Sequence, residues 1–409
     1  MKALLLLALR NIFKNKRRTA MTFMAIISGM TGIIVFGGFI EFTYQGLRET
    51  TIRTQLGHVQ IYKKGYSEQG IADPSHYLMD NPEQIETMMS GMPNIKMITR
   101  RLTFSGLVST GEKTLTCKGI GIVVAKKEEE MSNFETIVDG VQLEPDMRDG
   151  GVVGIDLMNA LGAKVGDNLT LLTTTRDGTI NGIDFKIVGV AQTGSQEYDS
   201  VFIKLPIQSV QKLLDTTSIE KMIVLLDETD NVSKVMPLLE NIIKEKGLDL
   251  ELKSWSELAA FYHKVVKLYD GIFDVVRIII AIIVLFSVAN TMSMSVFERV
   301  REIGTLRAIG TTRGGILRLF MAEGFLIGVL GGLLGIIMSI LIAYAINISG
   351  GIEIPPPPSM NRGYTALILI IPKVIFHAFL LIVSVSTLSS LYPAYKASQL
   401  KVVEALQHV

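Results

Sequence analysis

The chain has 409 residues, of which 48% are hydrophobic, and its mean hydropathy is +0.38. This composition is too apolar for a typical soluble protein, and with 19% charged residues it is too polar for a chain that lies wholly in lipid. The net charge of +1 does not indicate a nucleic-acid partner, and the single cysteine, Cys117, excludes an internal disulfide.

The N-terminal part of the chain predicts a surface helix followed by a membrane span. A leucine-rich stretch comes first and the basic cluster comes after it, which is the reverse of the order in a cleaved signal peptide. We therefore predict a cytosolic amphipathic helix over residues 1–19 and an uncleaved first span over residues 20–43. An apolar segment of this length is sufficient to cross the hydrocarbon as a helix.

Residues 44–266 predict one inserted, extracytosolic α/β domain. Segments rich in β-branched residues alternate there with turn signals. Strands are predicted at 58–62, 95–109, 114–123, 169–174, 185–191, 201–205 and 222–226. Helices are predicted at 155–161, 207–214 and 232–246. Cys117 falls within this domain, where we expect a buried apolar role for it.

The rest of the chain predicts three further spans, which makes an α-helical membrane protein with four transmembrane helices. The predicted segments are a stalk and second span over 267–297, a cytosolic coupling-helix loop over 298–318, a third span over 319–348, an outer loop over 349–373, a fourth span over 374–392 and a cytosolic tail over 393–409. Six basic residues and no acidic residue lie within residues 1–40, and five arginines lie in the 298–318 loop. This asymmetry places both termini and that loop in the cytosol.

The loop between the second and third spans contains an ordered motif. Ile303, Leu306 and Ile309 have helical spacing and arginines beside them, whereas an ordinary positive-inside loop needs no such pattern. Residues 302–310, Glu-Ile-Gly-Thr-Leu-Arg-Ala-Ile-Gly, resemble the coupling helix of the FtsX-like, MacB/LolCE-type ABC transporter permeases. The resemblance implies that a partner ATPase couples to Glu298, Arg299, Arg301, Glu302, Ile303, Gly304, Leu306, Arg307 and Gly310.

Three further stretches resemble the same family. They are residues 8–19, 152–171 and 391–406, although Val402 and Val403 stand where a proline is usual. The resemblance implies a MacB-like periplasmic core domain and a bacterial inner-membrane location. It also implies a non-catalytic permease that works with a second permease, identical or paralogous, and with two copies of an ATPase that bind ATP and Mg.

Residues 106–114 nearly match a phosphate-binding loop, but a predicted strand follows them instead of a helix. A phosphate loop needs the N-terminus of a helix, so we interpret this segment as a hairpin turn. No other segment contains Gly-Lys-Ser/Thr, and no spacing of histidines or cysteines suggests a metal site. We expect ATP hydrolysis by a partner, with no metal and no catalytic residue in this chain.

Small residues recur at four-residue intervals in two of the spans. Gly324, Gly328 and Gly332 share one face of the third span, and the first span has the pairs Ala25/Gly29 and Ser28/Gly32. Small residues at this spacing allow close approach of helices, within the chain or between subunits. Glu323 lies just inside the third span, where we expect it to contact arginines of the coupling loop.

Residues 57–61, and the stretch up to Tyr66, look closer to the lipoprotein-releasing LolC/LolE branch than to the MacB efflux branch. That branch implies extraction of a lipoprotein or lipid toward a periplasmic carrier. Phe42, Tyr44, Phe261 and Tyr269 are candidates for the substrate path, with an interfacial aromatic belt as the alternative. MacB-like efflux of peptides or amphiphilic drugs and FtsX-like activation of a cell-wall hydrolase both remain open.

Overall fold

The computed structural model describes residues 10–11, 16–70, 73–89, 91–125, 131, 135–193, 196–355, 363–402 and 405. They divide into two compact units. The helical unit comprises the described parts of Met1–Gln45, Val265–Ile354 and Thr365–Val409. The inserted domain comprises those of Gly46–Lys264 and Pro355–Tyr364. Most of the helix predicted over 1–19 lies outside the described residues.

The helices are numbered here in chain order. They are α1 Lys16–Thr51, α2 Pro82–Met89, α3 Ile155–Leu161, α4 Gln196–Asp199, α5 Ile207–Leu214, α6 Val232–Glu245, α7 Trp255–Leu258, α8 Ala260–Glu298, α9 Val300–Ala308, α10 Arg313–Ile348, α11 Pro372–Ser389 and α12 Leu391–Ser398. Single turns of tighter or wider helix lie at Ile52–Leu56, Tyr66–Gly70, Pro74–Tyr77 and Thr229–Asn231.

The strands are likewise numbered in chain order. They are β1 Val59–Lys63, β2 Ile95–Ser109, β3 Thr114–Ile122, β4 Thr136–Gly140, β5 Gly150–Gly154, β6 Asn168–Thr174, β7 Ile180–Gln192, β8 Phe202–Pro206, β9 Lys221–Leu226, β10 Leu250–Ser254, β11 Ile352–Ile354 and β12 Tyr364–Ala366. The first ten form one sheet in the order β10-β1-β9-β2-β3-β8-β5-β7-β4, and β11 pairs with β12.

The pairings of the large sheet close into a ring. Strand β6 pairs with both β2 and β7, so the path β2-β3-β8-β5-β7-β6 returns to β2. The β3–β8 and β5–β7 pairs are parallel and the other pairs are antiparallel. Because the ring is closed, each of its six strands pairs with a neighbouring ring strand on both sides. Strands β9, β1 and β10 extend the sheet outward from β2.

The core of the inserted domain is built mainly from these strands. In β6, Leu169, Leu171 and Thr173 are buried and their neighbours are exposed, as expected for a strand with one buried face. Cys117 belongs to this core with 2% exposure, which confirms its apolar role, and burial raises the pKa of its thiol to about 12. The segment that resembled a phosphate loop is the hairpin turn between β2 and β3, because Ser109 pairs with Thr114.

The helical unit has its own apolar core. Met30 of α1, Val284 of α8, Phe320 of α10 and Ile382 of α11 are fully buried in one cluster. Among the described residues, four helical segments are long and apolar enough to cross a membrane: α1, α8, α10, and α11 together with α12. Their number agrees with the four predicted spans.

Some helices extend beyond the predicted spans, into polar residues at their ends. Helix α1 ends at Thr51 instead of 43, and α10 begins at Arg313 instead of 319. Hydropathy indicates the part of a helix that matches lipid, whereas backbone hydrogen bonding continues into polar residues. For the same reason the predicted loop over 349–373 ends in the first turn of α11, and the predicted tail from 393 begins inside α12.

Candidate functional site

Local hydrogen bonds fix the turn between α9 and the next long helix, α10. At its C-terminal end the Gly310 N–H donates to Arg307 O at 3.1 Å and the Thr311 N–H donates to Leu306 O at 3.0 Å. This is the Schellman pattern, which requires a left-handed residue, and Gly310 has φ +103°. Thr312 then caps α10 by accepting from the Gly315 N–H at 3.2 Å. The turn out of α9 is therefore fixed by local sequence.

The two faces of α9 differ sharply. Ile303 and Gly304 are buried in the helical unit and Leu306 is half-buried, as the apolar spacing predicts. Ile309, the third residue of that spacing, is 80% exposed. Ile309 is the C-cap of α9 and keeps a helical conformation, with its N–H donating to Thr305 O at 3.1 Å. It lies about 120° around the helix axis from buried Ile303, so it faces away from the buried side. An isoleucine is thus presented at the surface beside the tight turn.

The predicted contact between Glu323 and the coupling loop is confirmed, and it involves Arg299. Arg299 Nη1 lies 2.8 Å from Glu323 Oε1, and Arg299 Nε lies 2.8 Å from Glu302 Oε2. The Asn11 amide donates to the same Glu323 oxygen at 2.6 Å, and the guanidinium lies over the Phe320 ring at 5.3 Å from its centroid. A buried pair of this kind fixes the start of α9 onto α10.

This arrangement bears on one predicted coupling residue. Arg299 was expected to couple to a partner ATPase; only 8% of it is exposed, and Glu323 is 3% exposed. A guanidinium desolvated in this way is committed to its own chain, because exposing it would leave the Glu323 carboxylate unpaired inside the protein. Arg299 is therefore a structural residue of the coupling loop.

Two more predicted coupling residues make contacts inside the chain. Glu298 pairs with Arg18 of α1 at 2.7 Å, and Arg307 Nη1 donates to Ser398 O at 3.2 Å and to Leu400 O at 2.8 Å. Arg307 thus satisfies carbonyls at the end of α12, where a cation is also favoured by the helix dipole. Glu298, Arg301, Glu302 and Gly310 are the exposed members of the predicted group, and Ile309, which lies outside that group, is exposed beside them.

The predicted glycine seams contact helices of the same chain. A Cβ at Gly324 or Gly328 would collide with Ser390 or Ser386, and one at Gly332 would lie 2.9 Å from Phe379. On α1, a Cβ at Gly29 would lie 2.8 Å from Ile280, and Gly32 faces the same residue at 3.6 Å. The Ser386 hydroxyl also donates to Gly324 O at 2.7 Å. These faces hold α1 against α8 and α10 against α11 and α12.

His58 in the inserted domain forms a hydrogen-bonded junction that the sequence did not indicate. Its Nδ1 accepts from the Leu226 N–H at 3.0 Å, so the ring proton lies on Nε2, 3.1 Å from Thr229 Oγ1. The Thr229 hydroxyl in turn donates to Glu49 Oε1 at 2.7 Å, in the last turn of α1. The His58 carbonyl accepts from the Trp255 N–H at 3.0 Å, at the start of α7.

The imidazole at the centre of the His58 junction is buried, and it is uncharged at neutral pH. His58 is fully buried, and this burial lowers the pKa of its imidazole to about 4. Beside it, Ile52 is buried against Ile223 and Leu225, with Trp255 packed on the same cluster. The junction therefore joins the last turn of α1, strand β9 and the segment that leads into α8.

Two family models match the chain. The MacB-like periplasmic core domain matches residues 19–242, which is more than half of the chain, and the FtsX-like permease C-terminal region matches residues 275–402. The chain belongs to the FtsX-like permeases with a MacB-like periplasmic core domain. It is thus an ABC transporter permease of the MacB/LolCE type, a family whose members imply an ATPase partner.

Individual relatives of this permease extend over its length. It is 22% identical over 444 residues to the lipoprotein-releasing system transmembrane protein LolC of Neisseria meningitidis serogroup B, covering 98% of each chain. It is 23% identical over 430 residues to the ABC transporter permease YknZ of Bacillus subtilis, again covering 98% of each. The periplasmic region of MacB from Actinobacillus actinomycetemcomitans matches at 15% identity and a TM-score of 0.38, covering 50% of this chain and 92% of that one.

The permease's four candidate path residues do not share one environment. In the helical unit, Phe42 is half-buried, and the Tyr44 hydroxyl lies 3.0 Å from both Val266 O and Asp270 Oδ1. Tyr44 and Tyr269 meet edge to face at 6.4 Å between ring centroids, so both contribute to the contact of α1 with α8. Phe261, in the inserted domain, is 66% exposed. Within the described ranges no three His, Cys, Asp or Glu side chains come together as metal ligands.

Proposed function

We propose that this chain is the non-catalytic permease subunit of an ATP-driven transporter and that α9 receives the motion of a separate ATPase. The observation that carries the proposal is that one face of α9 is fixed in its own chain, whereas the C-cap residue that follows the helix is exposed. Ile303 is buried in the chain's own bundle, whereas Ile309 is 80% exposed next to a turn held by Gly310. A rigid exposed anchor of this kind is suited to an apolar groove on a partner.

The proposed assembly contains two permeases and two ATPases. ATP and Mg are bound by the ATPase subunits, and α9, the N-terminus and the C-terminus lie on the cytosolic side of a bacterial inner membrane. The support comes from family membership and from the concentration of basic residues in residues 1–40 and 298–318.

We propose that α1 and α8 carry the motion toward the inserted domain. Both helices run without interruption over more than 35 residues, and both chain segments reach the His58 junction, α1 through Glu49 and the approach to α8 through Trp255. Packed, fully hydrogen-bonded groups transmit displacement because they have few alternative arrangements. Loss of this junction should uncouple the inserted domain from the spans.

The proposed cargo is a lipid-anchored protein, released toward a periplasmic carrier. This rests on similarity over nearly the whole chain to a protein named for lipoprotein release. Acyl chains gain about 0.8 kcal/mol for each buried CH₂, so such a cargo needs apolar residues on its way out of the membrane. Phe42 and Phe261 are the candidates least engaged in other contacts, because Tyr44 and Tyr269 pack on each other.

The ATPase part of the proposal is tested with the full-length chain and its cognate ATPase in liposomes. Ile309→Asp should reduce stimulation of ATP hydrolysis about 10-fold or more, because burial of an isoleucine is worth about 1.5–3 kcal/mol and an unpaired carboxylate adds to the loss. Ile180→Asp is the matched control, since Ile180 is 81% exposed but lies in the inserted domain. Equal stimulation in both variants would reject α9 as the ATPase contact.

The cargo is tested with photocrosslinking amino acids at Phe42 and Phe261 in intact membranes. We expect lipid-modified protein to be trapped before ATP is added, and less of it afterwards. Capture of a soluble peptide would favour the efflux function, and capture of a cell-wall hydrolase would favour the signalling one. Either result would reject lipoprotein release without affecting the role of α9.

A further inference from the structure

Helix α8 carries the ion pair Asp274–Arg277 directly beside its longest apolar run. Residues 278–297 contain no charged side chain, and Arg277 and Glu298 lie on either side of this run. A helix of this length spans about 30 Å, which is the thickness of the hydrocarbon layer of a membrane. Arg277 therefore lies at the hydrocarbon boundary opposite to the α9 end of the helix, at the level of the lipid headgroups.

The guanidinium of Arg277 is fixed by contacts on two sides. Its Cζ lies 3.8 Å from the centroid of the Phe273 ring, and its Nη1 donates to Asp274 Oδ1 at 2.9 Å. Phe273 is itself 5% exposed and meets the Phe36 ring edge to face at 5.7 Å between centroids. Because the cation rests on a buried ring, it loses little side-chain entropy when it binds an anion.

Most of the hydrogen-bonding capacity of this pair is still open. A guanidinium has five N–H donors, and among the described residues Arg277 uses one of them, on Asp274. The side chains of Asp274 and Arg277 are 65% and 37% exposed. At the level of the headgroups the pair thus offers donors to an anion and acceptors to a cation.

We propose that Asp274 and Arg277 bind the headgroup of a zwitterionic phospholipid that carries a primary ammonium group. The Arg277 guanidinium donates to the phosphate, and the ammonium group donates to the Asp274 carboxylate. Arg277 lies about 4.5 Å nearer to the apolar run than Asp274 does. In such a lipid the phosphate likewise lies between the acyl chains and the ammonium group. An anionic lipid without an ammonium group would satisfy Arg277 alone and would be repelled by Asp274.

An apolar stripe for the acyl chains begins at the ion pair. Asp274, Ile278, Ala281 and Leu285 recur at i, i+4, i+7 and i+11, so they lie within about 60° of one another around α8. Ile278 and Leu285 are 59% and 39% exposed. This stripe leads from the charged pair into the hydrocarbon, which distinguishes it from the other exposed faces of the helix. The inference requires only that α8 crosses the membrane, and it does not depend on the proposed cargo.

The site is tested by native mass spectrometry of the full-length chain in detergent, titrated with dioleoyl phosphatidylethanolamine or dioleoyl phosphatidylglycerol. The unaltered chain should bind the ethanolamine lipid at least about 5-fold more tightly, the effect of one further charge-assisted hydrogen bond. Arg277→Gln should weaken this binding about 10-fold, and Asp274→Asn should abolish the preference without weakening the glycerol lipid. Lys253→Gln is the control, because it removes an exposed ion pair with Glu257 in the inserted domain.

A double variant separates a headgroup site from an ordinary surface ion pair. Exchanging the two residues, as Asp274→Arg with Arg277→Asp, keeps the net charge and the spacing of the pair but reverses its order along the helix. The exchanged chain should lose the preference for the ethanolamine lipid as fully as Arg277→Gln does, while its melting temperature in the same detergent shows that it is folded.

Three results would reject the site: equal affinity of the unaltered chain for both lipids, unchanged binding in Arg277→Gln, or a preference that survives the exchange. The proposed cargo is tested separately by the photocrosslinks at Phe42 and Phe261. If these trap no lipid-modified protein but the lipid preference behaves as expected, the cargo is wrong and the headgroup site stands.

Discussion

The buried pair between Arg299 and Glu323 allows a quantitative test of how α9 is held. Replacing Glu323 by alanine would leave the guanidinium, only 8% exposed, with Glu302 as its remaining carboxylate partner. Removing one member of a buried ion pair typically costs 3–5 kcal/mol, because the other charge stays desolvated without compensation. We therefore expect Glu323→Ala to lower the free energy of unfolding by about 3–5 kcal/mol.

The control uses the exposed partner of the same arginine. Glu302 is 46% exposed at its side chain, so Glu302→Ala should cost no more than about 1 kcal/mol. The double variant Arg299→Met, Glu323→Leu removes both charges and keeps the volume, so it should recover most of the stability lost in Glu323→Ala.

Chemical unfolding of the full-length chain in detergent measures the free energy of unfolding of each variant. A double-mutant cycle then gives the interaction energy between Arg299 and Glu323. If Glu323→Ala and Glu302→Ala cost the same, or if the double variant is as unstable as Glu323→Ala, then Arg299 does not hold α9 through Glu323.

Three further predictions address the turn, the junction and the topology. Gly310→Ala should cost about 1–3 kcal/mol through backbone strain alone, since its φ is +103° and no atom of the described residues lies within 4 Å of the added Cβ. Gly314→Ala meets no described atom within 4 Å either and lies on a helix, so it should not destabilise. His58 binds its proton with a pKa of about 4 when folded and 6.5 when unfolded, so its contribution to stability is complete above pH 6.5 and is lost as the pH falls toward 4. Thermal unfolding should show about 2 kcal/mol less stability at pH 5 than at pH 7 from this group, and His58→Asn should remove that difference; an equal slope in the variant would contradict it. In a cysteine-free background, Ile180→Cys should react with an impermeant thiol reagent from outside the cell membrane and Ile309→Cys should not, although both are exposed; equal reaction would contradict the proposed topology.

Several strands and helices of the inserted domain could be predicted from the local sequence. The strand Ile95–Ser109 and the helices Ile155–Leu161 and Ile207–Leu214 have the predicted bounds, because their apolar spacing and flanking turn residues agree. Strand β5 was not predicted, since three of its five residues are glycine, which usually marks a turn. The structure needs those glycines in a strand, because a Cβ at Gly151 would overlap Phe185. Such packing depends on residues far away in the sequence.

The candidate site was predictable as a segment but not residue by residue. The 298–310 pattern located α9, and the intramembrane position of Glu323 indicated a partner in the loop, which proved to be Arg299. Helical spacing gives the face of a residue but not its depth, so it could not separate buried Arg299 from exposed Arg301. The spacing of Ile303, Leu306 and Ile309 likewise did not show that Ile309 is exposed while Ile303 is buried. The His58 junction joins chain segments about 170 residues apart and has no local signature.

The central claim, that α9 is the contact through which an ATPase drives this permease, is tested most directly by crosslinking at Ile309. A photoreactive amino acid at this position in the full-length chain, activated in native membranes, should give a single major adduct with a separate ATP-binding subunit. The same group at Ile180, which is equally exposed in the inserted domain, should not react with that subunit. An ATPase adduct at Ile180, or the absence of one at Ile309 in membranes that contain the cognate ATPase, would contradict the account.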